Sequence, residues 1–152
     1  MSDTPLSLMQ SLVGTVLSQH SPSPVGRWLD GRLLKAEPTE IQVEFTVRPE
    51  MTNPAGILQG GIATAMMDEV MGMTMLVLSL PYFYTSVNLT VDFLKPSSPG
   101  KVVIATGRVL KQGETIVNMD GFLHSPEGKL LARCTSNFLK TDMPMKRPRP
   151  KD

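Results

Sequence analysis

One stretch constrains this chain more than any other: from about Gly61 to Leu78 it reads as a helix with almost no polar side to turn toward water. Ile62, Met66, Val70, Met73 and Val77 recur at helical spacing along one stripe, while Gly61, Ala63, Ala65 and Gly72 keep other faces thin enough for a sheet to approach closely. A helix apolar on most sides has to be wrapped by other structure. The wrapping follows directly. After Pro81 the periodicity changes to two: Phe83, Thr85, Val87, Leu89, Val91 and Phe93 mark one face of a long strand. Three further strands are expected at Lys101 to Leu110, Thr115 to His124 and Lys129 to Thr141, joined as hairpins at Lys111-Gln112-Gly113-Glu114 and Ser125-Pro126-Glu127-Gly128.

Upstream, Leu6, Met9, Leu12, Val13, Val16 and Leu17 predict an amphipathic helix from Pro5 to about Gln19, ended by Ser21-Pro22-Ser23-Pro24. A strand is expected from Val25 to Ala36. A second is expected around Ile41, Val43, Phe45 and Val47, which alternate with polar residues. The order is helix, two strands, central helix, four strands. This predicts an α+β domain, an antiparallel sheet of five to six strands around one helix, with an extra helix at the N-terminus. The whole of 1–152 reads as one domain, with a core over about 25–141 and a basic tail over 143–152.

Composition removes several function classes. Fifteen Lys and Arg against fourteen Asp and Glu leave a net charge of +1, so nothing draws the chain as a whole to nucleic acid or an anionic membrane. The only basic concentration is Met145-Lys146-Arg147-Pro148-Arg149-Pro150-Lys151, expected to be a solvated terminus, with a loose clamp on ligand phosphates as the sharper reading. One cysteine, Cys134, excludes an internal disulfide, and two histidines, His20 and His124, are too few for a typical zinc cluster. No signal peptide or bilayer-spanning run is recognised, so a cytoplasmic protein is expected.

Chemistry concentrates between Asn53 and Asp68. Gln59-Gly60-Gly61 opens the central helix, where backbone N–H groups lack intrahelical partners and the helix dipole adds positive potential. Such a turn can hold a developing oxyanion, although a Gly-Gly pair commonly does no more than shape a turn. Asp68 lies in the methionine-rich body of the helix, where an unpaired carboxylate is costly to bury. Other readings stand beside a functional one: Asp68 faces solvent, or pairs with Arg27 or Arg48, or exchanges roles with Glu69. Gly60 and Asp68 are eight residues apart, about 12 Å along a helix axis. One carbonyl cannot sit ~3 Å from both. If both act on one substrate, they come from two copies of the chain, with central helices antiparallel across a two-fold axis.

At these residues the chain resembles the hotdog thioesterases, specifically the phenylacetate-degradation (PaaI-like) group. That family carries an Asn, a His-Gly-Gly turn opening the central helix, and an Asp within it. Asn53, Gly60, Gly61 and Asp68 fall on those positions, and Ser86 in Thr85-Ser86-Val87-Asn88 matches the serine that begins the next long strand. The resemblance implies an acyl-CoA thioesterase without metal or redox cofactor, working as a homodimer or homotetramer. Gly60 would donate to the thioester oxygen, Asp68 of the other subunit would attack or activate water, Asn53 would position water or carboxylate, and Ser86 would hydrogen-bond near Asp68. Gln59 departs from the family's histidine but can donate and accept hydrogen bonds. Leu58, Met66, Met67 and Met71 are candidates to line an adaptable acyl pocket, core packing being the commoner use of such residues.

Two other functions fit these residues less well. A hotdog hydratase or dehydratase generally needs a histidine, and neither His20 nor His124 is expected near the glycine turn. A non-catalytic acyl-CoA sensor would keep the pocket and lose the carboxylate, which Asp68 argues against.

Overall fold

Period-two alternation in the C-terminal half and the apolar segment before it fold as one sheet and one long helix. The computed structural model describes residues 4–146. Their elements are α1 (Pro5–Ser11), α2 (Pro24–Leu29), β1 (Arg32–Glu37), β2 (Glu40–Thr46), α3 (Gly60–Val77), β3 (Tyr82–Phe93), β4 (Val102–Gln112), β5 (Ile116–His124) and β6 (Leu130–Pro144). Single 3₁₀ turns lie at Leu17–Gln19 and Pro49–Met51. The strands form one six-stranded sheet in the order β1-β2-β4-β5-β6-β3, antiparallel throughout, and α3 packs against β4, β5 and β2. This is the hotdog arrangement, with β1 and β3 at the two edges.

Two N-terminal expectations are corrected. The first helix stops at Ser11, not Gln19, because Gly14 takes a φ of +86° and donates its N–H to the Leu33 carbonyl at 2.7 Å. The chain then runs beside β1, where Val16 bridges to Arg32. The segment from Val25 begins as helix α2 rather than strand. Ser23 caps it by accepting from Gly26 N–H at 3.1 Å, Pro24 suits its first turn, and Asp30 ends it in the left-handed region. Ser23-Pro24 is therefore a helix start, where the sequence suggested only a stop. At the other end β6 runs on to Pro144, and Met145 N–H bonds to the Pro81 carbonyl. The rest of the basic tail, 147–152, lies outside the described residues.

The close approach of helix and sheet comes from the sheet. Gly107 on β4 and Gly121 on β5 are directly paired, which leaves a bare spot in the sheet. A Cβ on Gly107 would lie 2.9 Å from both Cα and N of Met71, and one on Gly121 would meet Cys134 and Met71. Thr74, fully buried, donates to the Val70 carbonyl at 2.9 Å and reaches the Gly107 carbonyl at 3.1 Å. Of the small helix residues credited with thinness, Ala63 is buried, but Gly61 and Gly72 are exposed with nothing within 4 Å of a Cβ. Met66, Met67, Val70 and Met71 are completely buried and form the centre of the core.

β3 does not keep one face along its length. A bulge at Val87 shifts its register with β6 between Ser86 and Asn88. The inward positions are Tyr84 and Ser86 before the bulge, and Leu89 and Val91 after it, while Phe83, Thr85 and Val87 face outward. The bulge is held from β6: Asn137 N–H donates to Asn88 Oδ1 at 3.0 Å, and Ser136 Oγ to the Asn88 carbonyl at 2.9 Å.

Candidate active site

The start of α3 leaves two donors open. Gln59 occupies the cap position, and its carbonyl takes the N–H groups of Ile62 and Ala63, both at 3.0 Å. The Gly60 and Gly61 N–H groups have no partner among the described residues. The Gln59 side chain is exposed and caps nothing; what supports this turn is its backbone N–H, bonded to the Met51 carbonyl at 2.9 Å. Asn53 shapes the preceding loop by accepting from the N–H groups of Ala55 at 3.0 Å and Ile57 at 3.3 Å, which leaves its amide nitrogen free to donate. Asn53, Leu58 and Gly60 line a cavity of about 400 Å³ together with Phe93. The Phe93 ring lies directly against Gly60, whose Cβ, if present, would come within 2.9 Å of it. Gly61 and Gln59 border this turn without lining the cavity.

Asp68 opens onto a different cavity, of about 610 Å³, shared with Ser86, Glu69 and His20. It is half-buried, and among the described residues no cation or hydrogen-bond donor reaches it, so burial alone raises its carboxyl above the ordinary 3.8. Neither arginine pairs with it. Arg27 donates to the Ser21 carbonyl, while Arg48 serves Glu50 and the carbonyls of Trp28 and Leu29. Glu69 is different. Burial raises its pKa too, but Ser23 Oγ donates to it at 3.1 Å and the Gly26 backbone presses on it, so this carboxylate ties α2 to α3. Ser86 shares the Asp68 cavity without a hydrogen bond between the two.

The three methionines expected in the substrate pocket belong to the core instead. Met66, Met67 and Met71 are fully buried and line neither cavity, Met67 and Met71 lying beneath the sheet glycines. Two residues escaped the sequence reading. His20 was placed with the first helix, yet the turn at Leu17–Gln19 folds it back to the Asp68 cavity. Phe93 had been read only as one more apolar position of a strand. Cys134, the single thiol, is buried and pushed up to about 11 by burial and by the Asp68 charge, so it is no nucleophile at neutral pH. Among the described residues no group of His, Cys, Asp and Glu is placed to hold a metal ion, and no helix is long and apolar enough to cross a membrane.

Known proteins are similar to this chain in sequence and in fold. The family model described as Thioesterase superfamily matches residues 55–132, just over half of the chain. Acyl-coenzyme A thioesterase 13 of Homo sapiens is 30% identical over 102 residues, which cover 66% of this chain and 73% of that protein. Among solved structures, the E. coli PaaI protein of the phenylacetic acid degradation operon superposes with a TM-score of 0.77 at 18% identity, covering 85% of this chain and 92% of that one. A phenylacetic acid degradation-related protein from Ralstonia eutropha JMP134 gives a TM-score of 0.71 at 26% identity, covering 81% and 96%. By family match, by sequence relatives and by fold, this chain belongs to the thioesterase superfamily.

Proposed function

We propose that the chain is an acyl-CoA thioesterase whose active site is completed only when two copies meet. The observation that carries this reading is the division of the chemical groups between two cavities. Gly60 and Asn53 line one and Asp68 and Ser86 the other, with the carboxylate eight positions after the donor along α3. An antiparallel second α3 would bring its Asp68 to the first copy's Gly60. The β3 edge supports such an assembly: twelve residues long, unpaired on one side, and carrying exposed Phe83, Val87 and Phe93, it is the kind of strand that natural proteins cover.

In that assembly the thioester oxygen lies at the Gly60 N–H, which strengthens its hydrogen bond as negative charge develops. Asp68 of the second copy then either attacks the carbonyl carbon or takes a proton from the water that does. Collapse of the tetrahedral intermediate breaks the C–S bond. Where Asp68 activates water, the departing thiolate takes up the proton that Asp68 removed from it. Where Asp68 attacks, water then cleaves the acyl anhydride on Asp68 and supplies that proton, so free acid and CoA leave by either route. Burial raises the pKa of Asp68 and makes it a stronger base than an exposed carboxylate. Asn53 Nδ2 in the one cavity and Ser86 Oγ in the other are polar groups that can position the water or the carboxylate, and no metal or redox step enters. The lone free thiol, Cys134, fits a reducing cytoplasmic setting.

The test is thiol release from a panel of acyl- and aryl-CoAs, with sedimentation on the same sample. Hydrolysis by a dimer or tetramer is expected; hydrolysis by a stable monomer would overturn the shared site. A panel in which nothing is hydrolysed but acyl-CoA is bound would make the chain a binding protein. Gln59 is tested separately. Because its side chain is exposed and caps nothing, Gln59→His should keep the fold and give equal or higher turnover. A fall beyond about tenfold, roughly 1.4 kcal/mol of transition-state stabilisation, would show that the glutamine contributes directly.

A further inference from the structure

The Asp68 cavity is much larger than its polar groups require, and part of its wall comes from a part of the chain that the family match at 55–132 does not include. Leu8, Met9, Leu12 and Leu17, all from the N-terminal arm, line it together with Ser86. That arm is fastened along its length. Gln10 Nε2 donates to the Ala36 carbonyl at 3.2 Å, Leu17 N–H to the Gly31 carbonyl at 2.7 Å, and Ser23 Oγ to Glu69 at 3.1 Å. The wall is therefore fixed in place although Leu8 and Leu12 are not themselves core residues.

Gly72 is the second observation. It sits inside an 18-residue helix, where glycine costs about 1 kcal/mol relative to alanine. Nothing lies within 4 Å of the Cβ it lacks, so no close packing demands it. It does line this cavity. A side chain there would take up part of this space, so the missing one keeps it open.

We infer that Gly72 and the N-terminal arm together measure the acyl group, and that the group they accept is a flexible aliphatic chain rather than a single aryl ring. A cavity of about 150 Å³ is enough for a benzene ring, whereas this one measures about 610 Å³. A lone ring would leave most of the leucine and methionine surface uncovered. A saturated chain starting at Asp68 covers more of it with every carbon, up to the arm.

This inference rests on the hydrolase reading, and the experiment separates the two. For the native protein, kcat/KM is measured across saturated acyl-CoAs from acetyl to palmitoyl, with benzoyl- and phenylacetyl-CoA beside them. Values should rise by up to about fourfold per added methylene until the cavity is full. Gly72→Leu should lower the ratio of dodecanoyl to acetyl turnover at least tenfold, and Leu12→Ala should move the optimum to longer chains. Calorimetric binding of free dodecanoate, which needs no turnover, should weaken at least tenfold in Gly72→Leu. An unreduced melting midpoint would show that this variant is folded. An unchanged chain-length profile and unchanged dodecanoate binding in Gly72→Leu would overturn the inference, as would a native preference for the aryl thioesters. Thiol release from no substrate would sink the hydrolase reading alone, leaving dodecanoate binding to decide whether the cavity takes a chain.

Discussion

Asp68→Asn is expected to reduce acyl-CoA turnover at least a hundredfold. The substitution keeps size and hydrogen-bonding capacity and removes only the charge that attack or water activation requires; general-base assistance is typically worth about 10²–10⁴-fold. Affinity for acyl-CoA should change far less, because an uncharged amide of the same size takes the place of the carboxylate. Glu69→Gln should cost far less turnover, since Glu69 is held by Ser23 as the tie between α2 and α3. A near-native Asp68→Asn beside an inactive Glu69→Gln would move the catalytic carboxylate by one residue. Stability should respond in the opposite direction. The folded-state pKa of Asp68 lies above the unfolded 3.8, so between the two the unfolded chain has released a proton that the folded chain still holds. Stability is lost as pH rises through that window, and the loss is complete above it. Asparagine carries no such penalty. Melting curves should therefore show Asp68→Asn more stable than the native protein at neutral pH, with the advantage vanishing below about pH 3.8.

The largest loss of stability is expected from one methyl group on the sheet. Gly107→Ala would place a carbon 2.9 Å from the Met71 backbone and 2.8 Å from Thr74 Oγ1, and neither can swing aside as a free side chain would. Central helix and sheet have to separate, weakening the Thr74 hydrogen bond to the Gly107 carbonyl and loosening the packing around Met67 and Met71. Overpacking of this kind costs about 3 kcal/mol, and at about 2–4 °C per kcal/mol for a chain of this size the melting midpoint should drop roughly 6–12 °C. Gly72→Ala is the contrast within the same helix–sheet pair. With open space around it and a better helix former in place, it should raise the midpoint slightly. Equal, small shifts for both variants would mean that the close approach at Gly107 is not what holds the helix in place.

Much of this molecule can be read from its residues in order. Period-two alternation from Tyr82 onward, turn residues at regular intervals and an apolar 18-residue segment ahead of them leave few folds other than a sheet around a helix, because each signal is local and each has one geometric solution. The relative placement of the Gly60-Gly61 turn and Asp68 was legible for the same reason, since both lie on one helix and helix spacing converts directly to distance. The N-terminal forty residues were read less well. Leu12, Val13, Val16 and Leu17 have helical periodicity, but Gly14 can take the positive φ that lets this stretch leave the helix and run beside β1, and a hydrogen bond to a distant strand outweighs a weak local preference. Only tertiary structure decided that the bulge at Val87 turns Ser86 inward, that His20 and the leucines of the arm meet Asp68, and that Met67 and Met71 serve the core. Those outcomes depend on which strand faces which and how closely the helix settles on Gly107 and Gly121. Contacts between residues far apart in the chain leave no period in the sequence to read.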